Sequence, residues 1–286
     1  MMKKILSLML ALLLLCSFAA CSKEEDPGTG GEDDGIDMTV SAEENIYRAP
    51  GEYNDRYYYE YINGDEVAIV GFAGSYLEHV ITVPAVIDDR PVTEIANGAF
   101  ANNSNITGVS IPDSVLKIGD QAFANCTKLG ALTLPANLTT VGAAAFAKCK
   151  MLTSVTLPDT VTKLGSAAFF QCEKLRDVVL SAELVEIPSM AFLDCIALET
   201  LTMGARTEKI GNQAFANCVK LQLSALPAGV TTIGNQAFAA CAKLTITTVS
   251  DAVTSIGDHA FAYCPLVTAP APRDGLTIGT DAFYNK

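Results

Sequence analysis

The chain contains no tryptophan and only two histidines, His79 and His259. A histidine-based metal site or a catalytic triad therefore has almost nothing to be built from. Basic residues are scarce as well, because 32 aspartates and glutamates outnumber 19 lysines and arginines, which gives a formal net charge of −13. A nucleic-acid-binding protein needs a basic patch or stripe, and the sequence has no such stripe, so we expect no nucleic-acid partner.

Residues 1–20 have the pattern of a bacterial lipoprotein signal peptide. Two lysines precede an apolar run, Ile5–Leu15, which has the length of a signal-peptide core and is short for a membrane span. Two alanines come directly before Cys21, and this arrangement resembles a lipobox, although Phe18 stands where that family usually has leucine. The resemblance implies a lipid on Cys21 that would anchor the mature chain to a membrane. The alternatives are a cleaved secretory signal with an incidental Cys21, or an uncleaved anchor.

The segment that follows, residues 21–45, is acidic and rich in glycine. Ser22 to Asp37 contains seven acidic residues and one lysine and shows no apolar periodicity, so we expect a flexible, solvated tether. The sequence SKEED directly after Cys21 resembles the signal that sends some Bacteroidota-type lipoproteins to the outer face of the outer membrane. We therefore expect an outer-membrane lipoprotein that is exposed at the cell surface.

Hydrophobic residues make up 50% of the chain, and they recur with a fixed period. An Ala-Phe pair returns nine times, with seven successive spacings of 23 residues and a last spacing of 22. An aliphatic residue stands five positions before each phenylalanine, and glycine usually stands four positions before it, with Ala96 and Pro188 as exceptions. This repetition predicts a solenoid, in which each unit buries its apolar side chains only by stacking on its neighbours.

Each unit is expected to form one coil of the solenoid. A phrase of the form Leu-x-x-Leu-x-Leu-Pro, such as Leu129–Pro135, alternates like a half-buried strand and ends at proline. The phrase Gly-x-x-Ala-Phe indicates a tight turn that leads into a single helical or 3₁₀ turn. The recurring phenylalanines and cysteines are expected to form a ladder in the core. They are Phe123, Phe146, Phe169, Phe192, Phe215, Phe238, Phe261, Cys126, Cys149, Cys172, Cys195, Cys218, Cys241 and Cys264.

The full phrase, Leu-x-x-Ile-Gly-x-x-Ala-Phe-x-x-Cys-x-x-Leu-x-x-Leu-x-Leu-Pro, resembles the BspA-like leucine-rich repeat, also called the Treponema pallidum-type repeat. The match runs from about Tyr57 to the C-terminus, with the repeats themselves expected over residues 91–286. The resemblance implies a right-handed leucine-rich repeat solenoid with parallel stacked strands and short helical or 3₁₀ turns. Members of this family are associated with adhesion to host extracellular-matrix proteins and to other bacteria. No catalytic residues come with the family.

Residues 46–90 are expected to form an N-terminal β cap on the first coil. Asn63-Gly64, flanked by two apolar runs, is a strong hairpin signal, so we predict a β-hairpin over Tyr57–Phe72. Seven of the nine tyrosines lie between Tyr47 and Tyr76. We interpret them as half-buried cap residues, and an aromatic binding patch is the alternative.

The seven repeat cysteines have four possible interpretations: disulfide bridges, buried free thiols, metal ligands and a catalytic thiol. Stacked strands bring equivalent residues within roughly 4.8 Å, a separation that a disulfide tolerates. The parallel direction of the side chains, their odd number and Asn103 in the same slot of the first unit favour buried free thiols instead. Zinc needs clustered tetrahedral ligands rather than a row, so no metal or other cofactor is expected. Seven equivalent cysteines cannot each have a catalytic base, so we do not expect a catalytic cysteine.

A binding face is expected at the outward positions of the strand phrase, and its apolar end, Leu223 and Ile246, is the preferred contact region. We expect a monomeric protein-binding or adhesion module, not an enzyme, whose partner is an extracellular protein. The alternative is a glycan-binding accessory lipoprotein of a nutrient-uptake system, although sugar sites usually stack on aromatic rings that this face lacks. The predicted binding residues are Asp177, Val179, Thr200, Thr202, Leu223, Ala225, Ile246 and Thr248.

Overall fold

A computed structural model describes residues 52–54, 56–73 and 79–285. The expected signal peptide, the tether and Cys21 lie outside these residues. The described part of the chain consists of strands and turns, and it contains no helix that could cross a membrane. In chain order the strands are β1 (Glu52–Asn54), β2 (Tyr57–Ile62), β3 (Glu66–Phe72), β4 (Val80–Thr82), β5 (Val86–Ile87), β6 (Arg90–Ile95), β7 (Gly108–Ser110), β8 (Lys117–Ile118), β9 (Ala131–Thr133), β10 (Thr140–Val141), β11 (Ser154–Thr156), β12 (Lys163–Leu164), β13 (Asp177–Val179), β14 (Glu186–Ile187), β15 (Thr200–Thr202), β16 (Lys209–Ile210), β17 (Thr232–Ile233), β18 (Ser255–Ile256) and β19 (Thr277–Ile278).

The repeats stack as nine coils, and each coil is built around one phenylalanine. We number the coils 1 to 9 by these residues, from Phe100 to Phe283, and count each coil from seven residues before its phenylalanine. The rings stack along the solenoid axis, with centroids 4.9–5.4 Å apart and planes within 15° of parallel. Each of the rings of coils 2 to 8 is fully buried. Burying one phenylalanine contributes roughly 1.5–3 kcal/mol, so the stack stabilises every coil.

Two kinds of strand run along the coils. The strands before each phenylalanine, two residues long except for the six-residue β6, pair in parallel from β6 through β8, β10 and β12 and again from β14 through β16, β17, β18 and β19. Three-residue strands pair in parallel as β4–β7–β9 and as β11–β13–β15, and all of them except β4 follow one of the nine phenylalanines. The pairs between coils join equivalent residues, such as Lys209 with Thr232. The stacked parallel strands predicted from the repeat are therefore confirmed.

The two-residue ladder is interrupted between β12 and β14, and Pro188 explains the interruption. In other coils the glycine four positions before the phenylalanine donates its N–H to the coil before it, as Gly211 does to the carbonyl of Ile187 at 2.7 Å. Pro188 occupies this position in coil 5 and has no N–H to donate. The ladder thus breaks where the repeat loses its glycine.

The repeat glycines are required because neighbouring coils approach closely. A Cβ atom at Gly211 would lie 2.5 Å from the backbone nitrogen of Ser189, and one at Gly165 would lie 2.2 Å from the backbone nitrogen of Ala143. Neither glycine has a positive φ. The expectation that glycine serves to turn the chain is therefore corrected: it leaves room for the backbone of the preceding coil.

The Ala-Phe segment folds as a series of hydrogen-bonded turns and does not form the expected helical or 3₁₀ turn. In coil 6 the N–H of Ala214 donates to the carbonyl of Gly211. Gln213 and Asn217, two residues before and after the phenylalanine, have φ values of 55° and 62°. Left-handed residues cannot continue a right-handed helix, so the segment stays a set of turns. The N–H groups of Gln213, Phe215 and Asn217 donate to coil 7, so this backbone is paired between coils as well as within them.

The N-terminal cap contains the predicted hairpin. β2 and β3 pair antiparallel around a turn at Asn63 and Gly64, whose φ values are 50° and 87°. β3 then pairs in parallel with β6, which joins the hairpin to the solenoid. The rings of Tyr57 and Phe72 lie 6.5 and 5.8 Å from the ring of Phe100. These two rings cover the N-terminal end of the phenylalanine stack.

Candidate binding surface

Three parallel strands, β11, β13 and β15, present an exposed and mostly polar face. Their middle residues, Val155, Val178 and Leu201, are buried in the core. Side chains alternate along a strand, so the residues on either side of each middle residue face solvent. We call these six exposed residues the strand face: Ser154, Thr156, Asp177, Val179, Thr200 and Thr202.

Hydroxyl groups and one carboxylate dominate the strand face. The hydroxyl of Thr200 donates a hydrogen bond to the carboxylate of Asp177 on the adjacent strand. Val179 is the apolar member of the face and is 40% exposed. Directly before these strands, Arg176 pairs with Glu199 at 2.7 Å, and this contact lowers the pKa of Glu199 and raises that of Arg176. The pair is exposed, so it adds little stability and mainly sets the charge beside the face.

The expectation that this face extends to Leu223 and Ile246 is wrong. Ile246 is fully buried in the core, and Leu223 is half-buried and packs against the core. Ala225 and Thr248 are exposed, but neither lies in a strand. The other four residues predicted for binding lie together on β13 and β15, and their role in binding stays a prediction.

A shift of one residue in the apolar pattern explains this difference. In coils 3 to 5 the buried strand residue stands nine positions after the phenylalanine, as Val178 and Leu201 do. In coils 6 and 7 that position holds Ser224 and Thr247, which are exposed, and the apolar residue stands one position earlier. A shift of one residue exchanges the two faces of a strand. The leucine and isoleucine that were expected to face outward therefore pack inward.

The seven repeat cysteines form a row in the core beside the phenylalanine stack. All seven are buried free thiols. Each Sγ donates a hydrogen bond to the carbonyl oxygen of the phenylalanine in the coil before it, at 2.9–3.3 Å. Burial raises the pKa of Cys126 to about 12, and it also raises those of Cys149 and Cys172 well above the ordinary value. Thiols that remain protonated are poor nucleophiles and poor metal ligands, so this row contributes packing rather than chemistry.

A cluster of tyrosines around one carboxylate in the cap is not apparent from the sequence. The hydroxyls of Tyr59 and Tyr61 donate to the same oxygen of Asp88, at 2.7 and 2.8 Å. These hydrogen bonds lower the pKa of Asp88 and raise that of Tyr59. The guanidinium of Arg90 lies 4.2 Å from the centre of the Tyr61 ring, as in a cation–π contact. Only the turn could have been found from the sequence, because Asp88 and Asp89 both adopt a positive φ between β5 and β6, and aspartate tolerates that conformation better than most residues.

The coils match a known repeat family. Residues 93–222 and 177–286 match the BspA type leucine-rich repeat region, in six copies. The chain belongs to the BspA-type leucine-rich repeat family. The resemblance seen in the repeat phrase is thus confirmed.

Solved structures of several bacterial proteins resemble this BspA-type chain. The pneumococcal vaccine antigen PcpA is 19% identical with a TM-score of 0.53, over 76% of this chain and 74% of that one. The T. pallidum leucine-rich repeat protein TpLRR is 27% identical with a TM-score of 0.49, over 60% of this chain and 90% of that one. A leucine-rich repeat protein from Bacteroides capillosus ATCC 29799 is 31% identical with a TM-score of 0.39, over 45% of this chain and 96% of that one. The likeness to PcpA concerns the fold alone. None of the curated proteins compared with the chain matches it.

Proposed function

We propose that this protein is a surface-tethered binding module that presents the strand face to an extracellular protein. The observation that carries the proposal is the row of six exposed side chains on β11, β13 and β15, whose middle residues are fixed in the core. A surface that is already rigid loses little conformational entropy when a partner binds. Solenoids also offer extended surfaces, which suits a partner that is itself a protein.

Anchoring at the cell surface is part of the same proposal. A lipid on Cys21 would hold the protein at the membrane, and the acidic tether of residues 21–45 would separate the solenoid from it. Protease treatment of intact cells tests the location. We expect cleavage of the protein in intact cells, whereas a protein that is cleaved only after lysis would be periplasmic.

A protein partner suits the strand face better than a glycan or a substrate does. Sugar rings usually stack on aromatic side chains, and the strand face carries none. The cap does carry an exposed aromatic ring, that of Tyr61, but the guanidinium of Arg90 already covers one face of it, where a sugar ring would stack. The strand face carries one carboxylate, Asp177, which accepts a hydrogen bond from Thr200, and it carries no histidine, lysine or second carboxylate to complete a catalytic set. We therefore propose binding without catalysis.

Two binding assays run in parallel test the proposal: one with a panel of purified extracellular-matrix proteins and one with a glycan array. We expect the wild-type protein to bind at least one of the proteins and none of the glycans. Val179→Asp adds an unpartnered charge at the apolar member of the strand face, so it is expected to abolish that binding.

The matched control for this variant is Val185→Asp. Val185 is 37% exposed, close to the 40% of Val179, but it lies outside the strand face, next to β14. Binding is expected to survive this change. Equal loss in both variants, binding to glycans alone, or no binding to any protein of the panel would contradict the proposal.

A further inference from the structure

A small cavity lined by both polar and apolar side chains lies on the turns of coils 1 to 3 and shares no residue with the strand face. Its volume is about 50 Å³. One water molecule needs roughly 10–15 Å³ of such space, so the cavity has room for a group of a few heavy atoms. The residues that matter for its chemistry are Asn102, Gln121, Asn125, Ala144, Ala147 and Lys148.

Small side chains keep this cavity open. Ala147 stands one position after the phenylalanine of coil 3, and the same position holds Phe170 in coil 4 and Leu193 in coil 5. In those coils the large side chains form an apolar cluster on this side of the solenoid. The turns are therefore filled by large apolar side chains in coils 4 and 5, whereas those of coils 1 to 3 carry small or polar side chains, and the small alanines of coil 3 belong to the same apolar cluster.

One amide at the cavity has an unused donor. The Nδ2 of Asn125 donates to the Oδ1 of Asn102 at 3.0 Å, so the oxygen of Asn102 is satisfied. The Nδ2 of Asn102 is buried and is the one such side-chain atom, among those that the structure describes, without a hydrogen-bond partner. A buried donor without an acceptor destabilises the folded state, so an acceptor bound in the cavity would be favoured.

Lys148 adds a positive charge at the same cavity. None of the ion pairs among the described residues includes Lys148. An ammonium group and the nitrogen of an amide can only donate hydrogen bonds. Hydrogen bonds from a charged donor to a charged acceptor are the strong ones, so the cavity is suited to an anion that accepts from both groups.

We propose that this cavity binds a carboxylate group, which accepts hydrogen bonds from the Nδ2 of Asn102 and the Nζ of Lys148. Gln121 also lines the cavity. The carboxylate of an acidic sugar and the C-terminal carboxylate of a peptide present the same group, and both sources are tested below. The site does not depend on the strand face, so a failure here leaves the proposed function standing.

Nuclear magnetic resonance of the ¹⁵N-labelled full chain provides the test. Acetate is the first probe, acetamide is the neutral analogue of the same shape, and sodium chloride controls for ionic strength. We expect acetate to give saturable shifts of the side-chain amides of Asn102 and Asn125, and acetamide and chloride to give none. Glucuronate then represents an acidic sugar and N-acetylglycine represents a peptide C-terminus. The compound that binds more tightly shows which of these two sources supplies the carboxylate.

Two substitutions borrowed from other coils test the position of the site. Ala147→Leu places in coil 3 the residue that coil 5 carries at Leu193, and it is expected to fill the cavity and remove the acetate shifts. Ala216→Leu is the same change in coil 6 and should leave the shifts unchanged. Lys148→Gln, which copies Gln171 of coil 4, is expected to weaken acetate binding about tenfold; Lys163→Gln is its control.

Thermal unfolding of the two leucine variants shows whether both are folded. Acetate shifts that persist in Ala147→Leu, or that acetamide or chloride reproduces, would overturn the proposal. The absence of any saturable shift in the wild-type protein would also overturn it, because the cavity would then hold water only.

Discussion

The thiol of Cys218 donates a hydrogen bond to the carbonyl oxygen of Phe192 in the coil before it, with a sulfur–oxygen distance of 3.2 Å. The same oxygen accepts a hydrogen bond from the backbone N–H of Cys195, at 3.2 Å. Each phenylalanine carbonyl of this kind is thus bonded within its own coil and to the next coil. Only a protonated thiol can donate, so the link between coils requires that the cysteines remain uncharged.

We expect the stability of the solenoid to fall above pH 9. Burial raises the pKa of Cys126 from 9.0 to about 12, so the folded state keeps a proton that the unfolded state loses. The resulting stabilisation is complete below pH 9 and is lost as the pH rises towards 12. Between pH 9 and pH 10 the free energy of unfolding should fall by about 1 kcal/mol for each such thiol. Denaturant unfolding at a series of pH values measures the decline.

Cys126→Ala isolates the contribution of one thiol. The difference in unfolding free energy between wild type and this variant should shrink by about 1 kcal/mol between pH 9 and pH 10, because the variant has one titrating group fewer. Asn103 fills the same slot in coil 1 and has no thiol, so the difference for Asn103→Ala should not change with pH. A difference that is constant for both variants would show that the thiol of Cys126 is not protected.

The phenylalanine stack can be tested at its centre. Phe192 is fully buried between the rings of Phe169 and Phe215, at 5.4 and 5.3 Å. Phe192→Ala is expected to reduce the free energy of unfolding by about 3–5 kcal/mol, because it leaves a cavity that the stacked neighbours cannot close. Ile196→Ala, at a residue of the same coil that is 46% exposed, should change it by about 0.5 kcal/mol or less. An unchanged unfolding midpoint for Phe192→Ala would contradict this placement of the ring.

The coil stack and its core were predictable because the same side chains return at one phase. When Phe123 and Phe146 occupy equivalent positions in stacked units, burying one requires burying the other, so a period is enough to locate the core. The hairpin of the cap was predictable for a local reason, since Asn63-Gly64 suits the positive φ of its turn.

The features that were missed depend on relations between coils. The inward orientation of the Ile246 side chain was indicated by Thr247, a polar residue at the position that Leu201 fills in coil 5. Detecting this signal requires a comparison of the coils residue by residue. The cavity beside Ala147 depends on side-chain volumes in three successive coils. The role of Gly211 depends on its distance from the backbone of the preceding coil, and the sequence of a single repeat does not show that distance.

Gly211→Ala tests the close approach of coils 5 and 6. The added Cβ would lie 2.5 Å from the backbone nitrogen of Ser189, which cannot move without shifting its coil. We expect a loss of about 1–3 kcal/mol in unfolding free energy, as for other overpacked sites. Gly229→Ala is the control, because its Cβ would meet the nearest atom, the carbonyl oxygen of Thr207, at an ordinary 3.4 Å. Equal stability of the two variants would mean that coils 5 and 6 can separate at little cost.

The break at Pro188 should be visible in backbone hydrogen exchange. The N–H of Lys209 donates to the carbonyl of Val185 at 3.2 Å, whereas the equivalent N–H of Glu186 has no such bond to coil 4 among the described residues. The amide of Glu186 is therefore expected to exchange about tenfold faster than that of Lys209, as the loss of one hydrogen bond implies. Lys163, whose N–H donates to Thr139 at 3.3 Å, serves as a second reference on the other side of the break.

Pro188→Gly is expected to slow the exchange of Glu186, because glycine restores an N–H that can donate to the carbonyl of Leu164. The new bond stabilises the folded state, but the freer glycine also raises the entropy of the unfolded chain, so the global stability should change little. The exchange rates of Lys209 should stay the same, which makes that residue the internal control. If Glu186 already exchanges as slowly as Lys209 in the wild-type protein, then the coils are joined at this point by a bond other than the one that proline removes.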